Sequence, residues 1–273
     1  LKINSQQNRN STGLQSGVTP VKTFKAGQLS VRAYASPADL SADVASVTQV
    51  YLKKVLKAKG KAAAILATGN SQIKFLEQLI RLGGVDWSKI TLFHMDEYLG
   101  ISGDHKASFR RYMRERVANL VKPRAFHYLE GDALLPMDEC ARYTKLLKAQ
   151  PIDLCCLGVG ENGHLAFNDP PVANFKDKHS VTIAKLDDRC RLQQVGEGHF
   201  PNMDYVPQYA LTLTIPMLCS AKKLLCIAPE KRKAQAVRAA LQGPISTDCP
   251  ASILRRQAHA TMFVDTDSVS LLD

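Results

Sequence analysis

Apolar runs of six to eight residues recur along the chain, and polar or helically periodic stretches separate them. The runs LSVRAYAS (29–36), AAAILAT (62–68), ITLFHMD (90–96) and IDLCCLGV (152–159) predict strands, as do SVTIAKL (180–186), YALTLTIP (209–216), KLLCIAP (223–229) and ATMFVD (260–265). Several are apolar at every position, which is how strands covered on both faces read. Between them lie helical patterns with recognisable ends. Ser36-Pro37 supplies an N-cap and a first-turn proline, and the pattern that follows runs to Gly60. Thr68-Gly69-Asn70-Ser71 turns into a second helix that stops at Gly83-Gly84, others are expected over about 106–119 and 139–149, and a last one starts near Glu230. This alternation predicts an α/β fold: an open, mostly parallel twisted sheet with helices on both faces, a Rossmann-like three-layer sandwich. Ligands of such sheets bind beyond the carboxyl ends of the strands. The segments that follow strands there are TGNS after 67, DEY after 95, GENGH after 159 and EKRK after 229, and all are polar.

The length of 273 residues suits one large domain. Residues 1–22 are polar and aperiodic and are expected to be a flexible N-terminal tail, leaving 23–273 as a single α/β domain. A hydrophobic content of 45% with 22% charged residues is that of an ordinary globular protein. No apolar run approaches the roughly 20 residues of a membrane span, and no signal-peptide pattern is visible, so no membrane partner and a cytoplasmic location are expected. The seven cysteines are odd in number and form no C-x-x-C, which favours reduced thiols over a disulfide framework or a structural zinc site. The net charge of +11 points either to an anionic partner, such as a phosphorylated metabolite, or to a basic solvated surface. No helix-turn-helix or aromatic RNA-binding signature accompanies it, so nucleic acid is not expected as a partner.

The stretch Gly158 to Gly163, GVGENG, fits G-x-G-x-x-G and follows an apolar strand. A dinucleotide fingerprint needs its third glycine to open a long helix. Here Pro170-Pro171 arrives too soon for that, and the first strand-helix-strand unit lies upstream. The loop instead delivers His164 and Asp169, five residues apart, in a turn-rich segment, while Asp96 and Glu97 sit just past another strand. Five segments then occur in order: LATGNS, FHMDEYLG followed by His105, GVGENGHLAFNDP, YALTLTIP, and KRKAQAVRAALQG with PASIL downstream. In these the chain resembles the glucosamine-6-phosphate deaminases, a family related in fold to the 6-phosphogluconolactonases. The resemblance covers about residues 30 to 272.

The resemblance implies an aldose-ketose isomerisation with deamination, turning glucosamine 6-phosphate into fructose 6-phosphate and ammonia without a cofactor. Such a conversion needs a base that reaches both C1 and C2 of the open sugar, and the resemblance gives that role to Asp96. Read alone, an Asp at a strand end is as often a turn residue. Glu97 is either a partner to it or purely structural. Ring opening, which a near-neutral imidazole can perform, falls to His164. The family flanks this His with a carboxylate two residues before and a Glu five residues after. Here Asn162 and Asp169 stand in those places, so the imidazole's partner is changed in one position and shortened in the other, and Glu161 is a further candidate for the work. Thr68, Gly69, Asn70 and Ser71 would hold the phosphate at a helix N-terminus, with Lys233 matching the family's phosphate-binding Lys. The family's Arg followed by two aromatics is missing. Arg191 or Arg189 is offered in its stead, with Gln194 as another occupant of the position. The Ser pair of the allosteric relatives is absent after the loop, so allostery of that type is not expected. No two-His ligand spacing occurs among His94, Asp96, His105 and His164, and carboxylate proton transfer needs no metal. The partner is therefore a small-molecule sugar phosphate, and a homo-oligomer is compatible with the sequence. The alternatives are a related isomerase or lactonase on a different phosphosugar, and a sugar-phosphate sensor without turnover.

Overall fold

The computed structural model describes residues 17–273. In chain order the strands are β1 (Lys22–Ala26), β2 (Leu29–Tyr34), β3 (Ala62–Leu66), β4 (Ile90–His94), β5 (Asp96–Tyr98), β6 (Ala125–His127), β7 (Leu154–Gly158), β8 (Val181–Lys185), β9 (Tyr209–Leu213), β10 (Leu224–Ala228) and β11 (Ala260–Asp265). The α-helices are α1 (Pro37–Lys59), α2 (Asn70–Leu82), α3 (Phe109–Met113), α4 (Asn119–Val121), α5 (Pro136–Lys148), α6 (Asp188–Gly196), α7 (Ile215–Cys219) and α8 (Ala234–Gln242), with a π-helical turn at Arg114–Ala118 joining α3 to α4. The first sixteen residues of the expected tail lie outside the described residues, and its last residue, Lys22, opens β1.

Eight strands form one sheet in the order β1-β2-β11-β10-β7-β3-β4-β6. Every pairing is parallel except that of β1 with β2. The expected α/β fold is therefore present. The strands read at 180–186 and 209–216 are present too, but as β8 and β9 of a separate antiparallel sheet, order β5-β9-β8. The reason is local. Among the described residues β8 pairs with β9 alone, and two of its five residues remain half-buried with a third exposed.

The apolar runs alternate between two cores. In β3, Ala63 and Ile65 face one cluster while Ala64 and Leu66 face the other. In β7, Cys155 and Leu157 join the first, and Leu154 and Cys156 the second. Period-two alternation survives in these strands, but both faces meet apolar helices, so the sequence reads as a continuous run. The helices α1 and α2 cover one face through Leu40, Val44, Leu52, Phe75 and Leu79. The other face is covered by α5 and α8 through Tyr143, Leu147, Val237 and Leu241. The ends of α1 are those expected: the Ser36 side chain accepts from Asp39 N–H at 3.1 Å, and Gly60 closes the helix at φ +69°. A third cluster, rich in aromatics, holds the small sheet and α6 together around Tyr98, Phe109, Phe167 and Phe200.

From β3 the chain goes to β4 and β6 on one side, then returns to β7 on the other and continues to β10. The strand order thus reverses between β3 and β7. A crevice opens at such a point beyond the carboxyl ends, because the two connections leave in opposite directions.

Candidate active site

The crevice holds a pocket to which all four polar strand ends contribute. Thr68, Gly69, Asn70 and Ser71 line it after β3, Asp96 after β4, His164 after β7 and Lys233 after β10. These seven residues from the sequence reading therefore meet in one place. The wall is completed by Phe109, Phe167, Gln193, Gln194, Glu197 and His199.

At the β3 end, Gly69 adopts φ +104°, a value that suits glycine, and leads into α2. No side chain caps this helix and its first turn carries no acid, so its free N–H groups and positive dipole end face the pocket. The Ser71 hydroxyl accepts from Gln72 Nε2 at 3.1 Å and does not act as the cap.

Lys233 supplies the cation. It is only 3% exposed, and among the described residues no carboxylate lies within ion-pair distance of its Nζ. Burial, followed by the charge of neighbouring Arg232, pulls its ammonium below the ordinary lysine value. The turn that places it is unusual: Glu230 sits at φ +80°, held by its N–H donating to the Asp265 carboxylate at 3.1 and 3.2 Å. A buried lysine without a counter-ion is costly, and a bound anion would relieve it.

Asp96 is buried, and its Oδ1 has no hydrogen-bond partner among the described residues. Burial, then the charge of adjacent Glu97, raises its carboxyl well above the usual carboxylate range. Glu97 points elsewhere. Its carboxylate accepts from the N–H groups of Tyr98, Phe109 and Arg110 and from the Ser108 hydroxyl, at 2.7–3.1 Å. Glu97 thus pins the start of α3 to the strand end that carries Asp96. Burial nevertheless raises its own carboxyl, against the lowering effect of those donors.

The glycine loop is shaped around an imidazole. A Cβ on Gly160 would lie 2.2 Å from His164 ring atoms, and one on Gly163, which has φ +87°, would lie 2.8 Å from Cys249 Sγ. Glycine is required here for close packing of the His164 ring. Behind the ring stand the two residues that depart from the family pattern. His164 Nδ1 is 2.8 Å from Asp169 Oδ1, a hydrogen-bond separation, although the ring as placed is not aligned along it. Asn162 Nδ2 donates to the same Asp169 oxygen at 2.9 Å, while Asn162 Oδ1 accepts from His164 N–H at 3.0 Å. Asp187 N–H donates to the other oxygen at 3.0 Å. Burial works to raise the Asp169 carboxyl, but His164, Asn162 and Asp187 outweigh it and hold it below its ordinary value. Asn162 therefore orients both the carboxylate and the loop without adding charge.

Besides Glu97, Asn162 and Asp169, which stand behind the pocket wall, Arg191, Glu161 and Arg189 do not line the pocket. The Arg191 guanidinium donates to the Met203 and Val206 carbonyls at 2.7 and 3.0 Å, bracing the loop before β9. Glu161 lies 3.3 Å from Arg232 on an outer depression, which Arg189 also lines. Of the candidates for the missing Arg, it is Gln194 that lines the pocket, its Oε1 accepting from the Tyr98 hydroxyl at 2.6 Å. Gln193, Glu197 and His199 were missed because α6 is polar and weakly amphipathic, with no motif to mark it. Glu197 is tied to Arg232 at 2.8 Å, which outweighs burial and keeps its carboxyl low, while burial lowers His199. A metal-type grouping also emerges. His164, Asp169 and Cys190 each bring a ligand atom within 4.8 Å of the others.

Residues 35–263 match the family model of glucosamine-6-phosphate isomerases/6-phosphogluconolactonase. A glucosamine-6-phosphate deaminase from Exiguobacterium sibiricum is 36% identical over 231 residues, covering 84% of this chain and 89% of its own. One from Bacillus cytotoxicus is 33% identical, covering 81% and 82%. Among solved structures, a monomeric glucosamine-6-phosphate deaminase superposes with a TM-score of 0.81 at 33% identity, covering 88% of this chain and 99% of that one. A 6-phosphogluconolactonase from Shewanella baltica reaches 0.73 at 18% identity, covering 89% and 100%, and shares the fold.

Proposed function

The chain belongs to the glucosamine-6-phosphate isomerase/6-phosphogluconolactonase family of enzymes, and from that premise we propose that it deaminates and isomerises glucosamine 6-phosphate. The observation that carries the proposal is the buried Asp96 carboxyl, whose Oδ1 has no hydrogen-bond partner among the described residues, in a pocket that also holds His164 and the buried Lys233.

The phosphate rests against the N-terminus of α2 and Lys233, where free N–H groups and a buried cation favour a dianion. His164 moves the proton from O1 to the ring oxygen and opens the ring, with Asp169 stabilising the imidazolium that forms on the way. Asp96 then takes the proton from C2 and returns it at C1, while O1 takes up the proton that the amine gives up, so C1 becomes an alcohol carbon and the double bond comes to lie between C2 and nitrogen. Water adds at C2, ammonia leaves, and fructose 6-phosphate remains. Burial raises Asp96 toward the pH at which a carboxylate exchanges protons most effectively. Lys233, held below the ordinary lysine value by burial, gains proton affinity from a phosphate dianion beside it.

The walls from α6 favour one second reading, a different amino-sugar phosphate. Gln193, Glu197 and His199 present hydrogen-bonding groups to the pocket. The test is a turnover assay with glucosamine 6-phosphate, following ammonia and fructose 6-phosphate together. Their equal release supports the proposal. Ammonia without fructose 6-phosphate from another amino-sugar phosphate, with none from glucosamine 6-phosphate, supports the second reading.

A further inference from the structure

We propose that His164, Asp169 and Cys190 form a binding site for a thiophilic divalent cation of the Zn2+ class. The three come from separate places, the glycine loop, the turn after it and α6, yet their ligand atoms lie within 4.8 Å of one another and all three residues are buried. Ligands on a tetrahedral zinc stand roughly 3–4 Å apart, given bonds of about 2.0–2.3 Å. Closing the cluster therefore needs shifts of an ångström or less. The ligand types are one imidazole nitrogen, one carboxylate oxygen and one sulfur, a set that Zn2+ accepts.

Burial and then the nearby Asp169 carboxylate push the free Cys190 thiol up, and charge balance in the bound complex offsets this. When the ion binds, the Cys190 thiol gives up its proton to solvent and a metal-sulfur bond forms. The neutral imidazole, the thiolate and the carboxylate then balance the two positive charges, so the buried complex is neutral. Asn162 is part of this balance, because a carboxylate in its place would leave a net negative charge. It also supplies an outer-shell contact, since its Nδ2 holds Asp169 Oδ1 at 2.9 Å while Asp187 N–H holds Oδ2 at 3.0 Å. His164 also lines the pocket, whereas Cys190 and Asp169 do not, so the ion would be held through a ring that the pocket uses. An ion held there withdraws His164 from ring opening. On the deaminase reading, the metal-bound enzyme is therefore inactive, and zinc inhibits it reversibly.

The test uses the full chain with Co2+ as a spectroscopic probe. One ion per chain is expected, with a thiolate-to-cobalt charge-transfer band that Zn2+ displaces. Cys190→Ser and Cys190→Ala should lose the band and weaken zinc binding at least about tenfold. Both should keep turnover in the absence of zinc and resist inhibition by it, whereas the unmodified enzyme is inhibited and recovers with a chelator. No charge-transfer band in the unmodified protein overturns the site, as does a band that persists in both variants. The inhibition rests on the deaminase reading and the band does not. A chain that shows the band but no turnover with glucosamine 6-phosphate would retain the metal site and lose the deaminase assignment.

Discussion

Asp96 carries opposite consequences for turnover and for stability. Its carboxyl is raised above the unfolded value by burial and by Glu97. Stability from such a group is fully present below the unfolded value and is lost as pH rises through the folded one. Neutral pH lies above the unfolded value, so the burial of Asp96 costs stability there, and Asp96→Asn removes that cost. The variant is expected to lose about 10³-fold in kcat, within the usual range for a proton-transfer group, while its Tm rises by roughly 2–4 °C at neutral pH. Thermal scans should show the gain shrinking as pH falls toward the ordinary carboxylate range. Asn162 makes the complementary case. Asn162→Asp would place a second carboxylate about 2.9 Å from Asp169, and two such groups cannot both ionise. The acid limb of the kcat/KM profile should move up by about one pH unit or more, and Tm should fall. A profile identical to that of the unmodified enzyme would contradict the role given to this pair.

Individual elements differ in how much of their role the chain discloses. The buried strands were legible because apolar runs of that length, bounded by glycine and proline, leave few alternatives. Asp96, His164 and Lys233 were legible as candidates because each follows such a strand and the family resemblance singles it out, and all three line the pocket. By contrast, α6 was not legible. Its polar residues show no apolar stripe, and only tertiary packing through Cys190 and Gln194 brings it against the pocket. The same packing turns Arg191 toward the carbonyls of Met203 and Val206, an outcome no local pattern announces. The small antiparallel sheet was hidden for a similar reason, since strand propensity does not say which sheet a strand joins. The glycine loop yields a prediction at this scale. Gly160→Ala puts a methyl group into the space of the His164 ring, so the ring must move. Turnover should fall by about 10²-fold, comparable to losing the acid-base group, while circular dichroism remains that of the folded protein. At the junction of β10 and α8, Lys233→Met is expected to raise KM by about tenfold or more, the value of a charge-assisted contact near 1.5–3 kcal/mol. Its kcat should change far less, which steady-state kinetics would show.

At the scale of the molecule, the sheet order explains why distant segments converge. The reversal between β3 and β7 opens the crevice, and the parallel direction of seven strands brings their carboxyl ends to one edge. The apolar cores on both faces fix that edge, so the polar strand ends can carry costly groups such as Asp96 Oδ1, without a partner among the described residues, and the buried Lys233. The measurement that bears most directly on this account is a coupled assay of the purified chain with glucosamine 6-phosphate, quantifying ammonia and fructose 6-phosphate beside the Asp96→Asn variant. The account predicts equimolar release of both products, abolished in the variant. Absence of both products from folded protein, or turnover undiminished in Asp96→Asn, would contradict it.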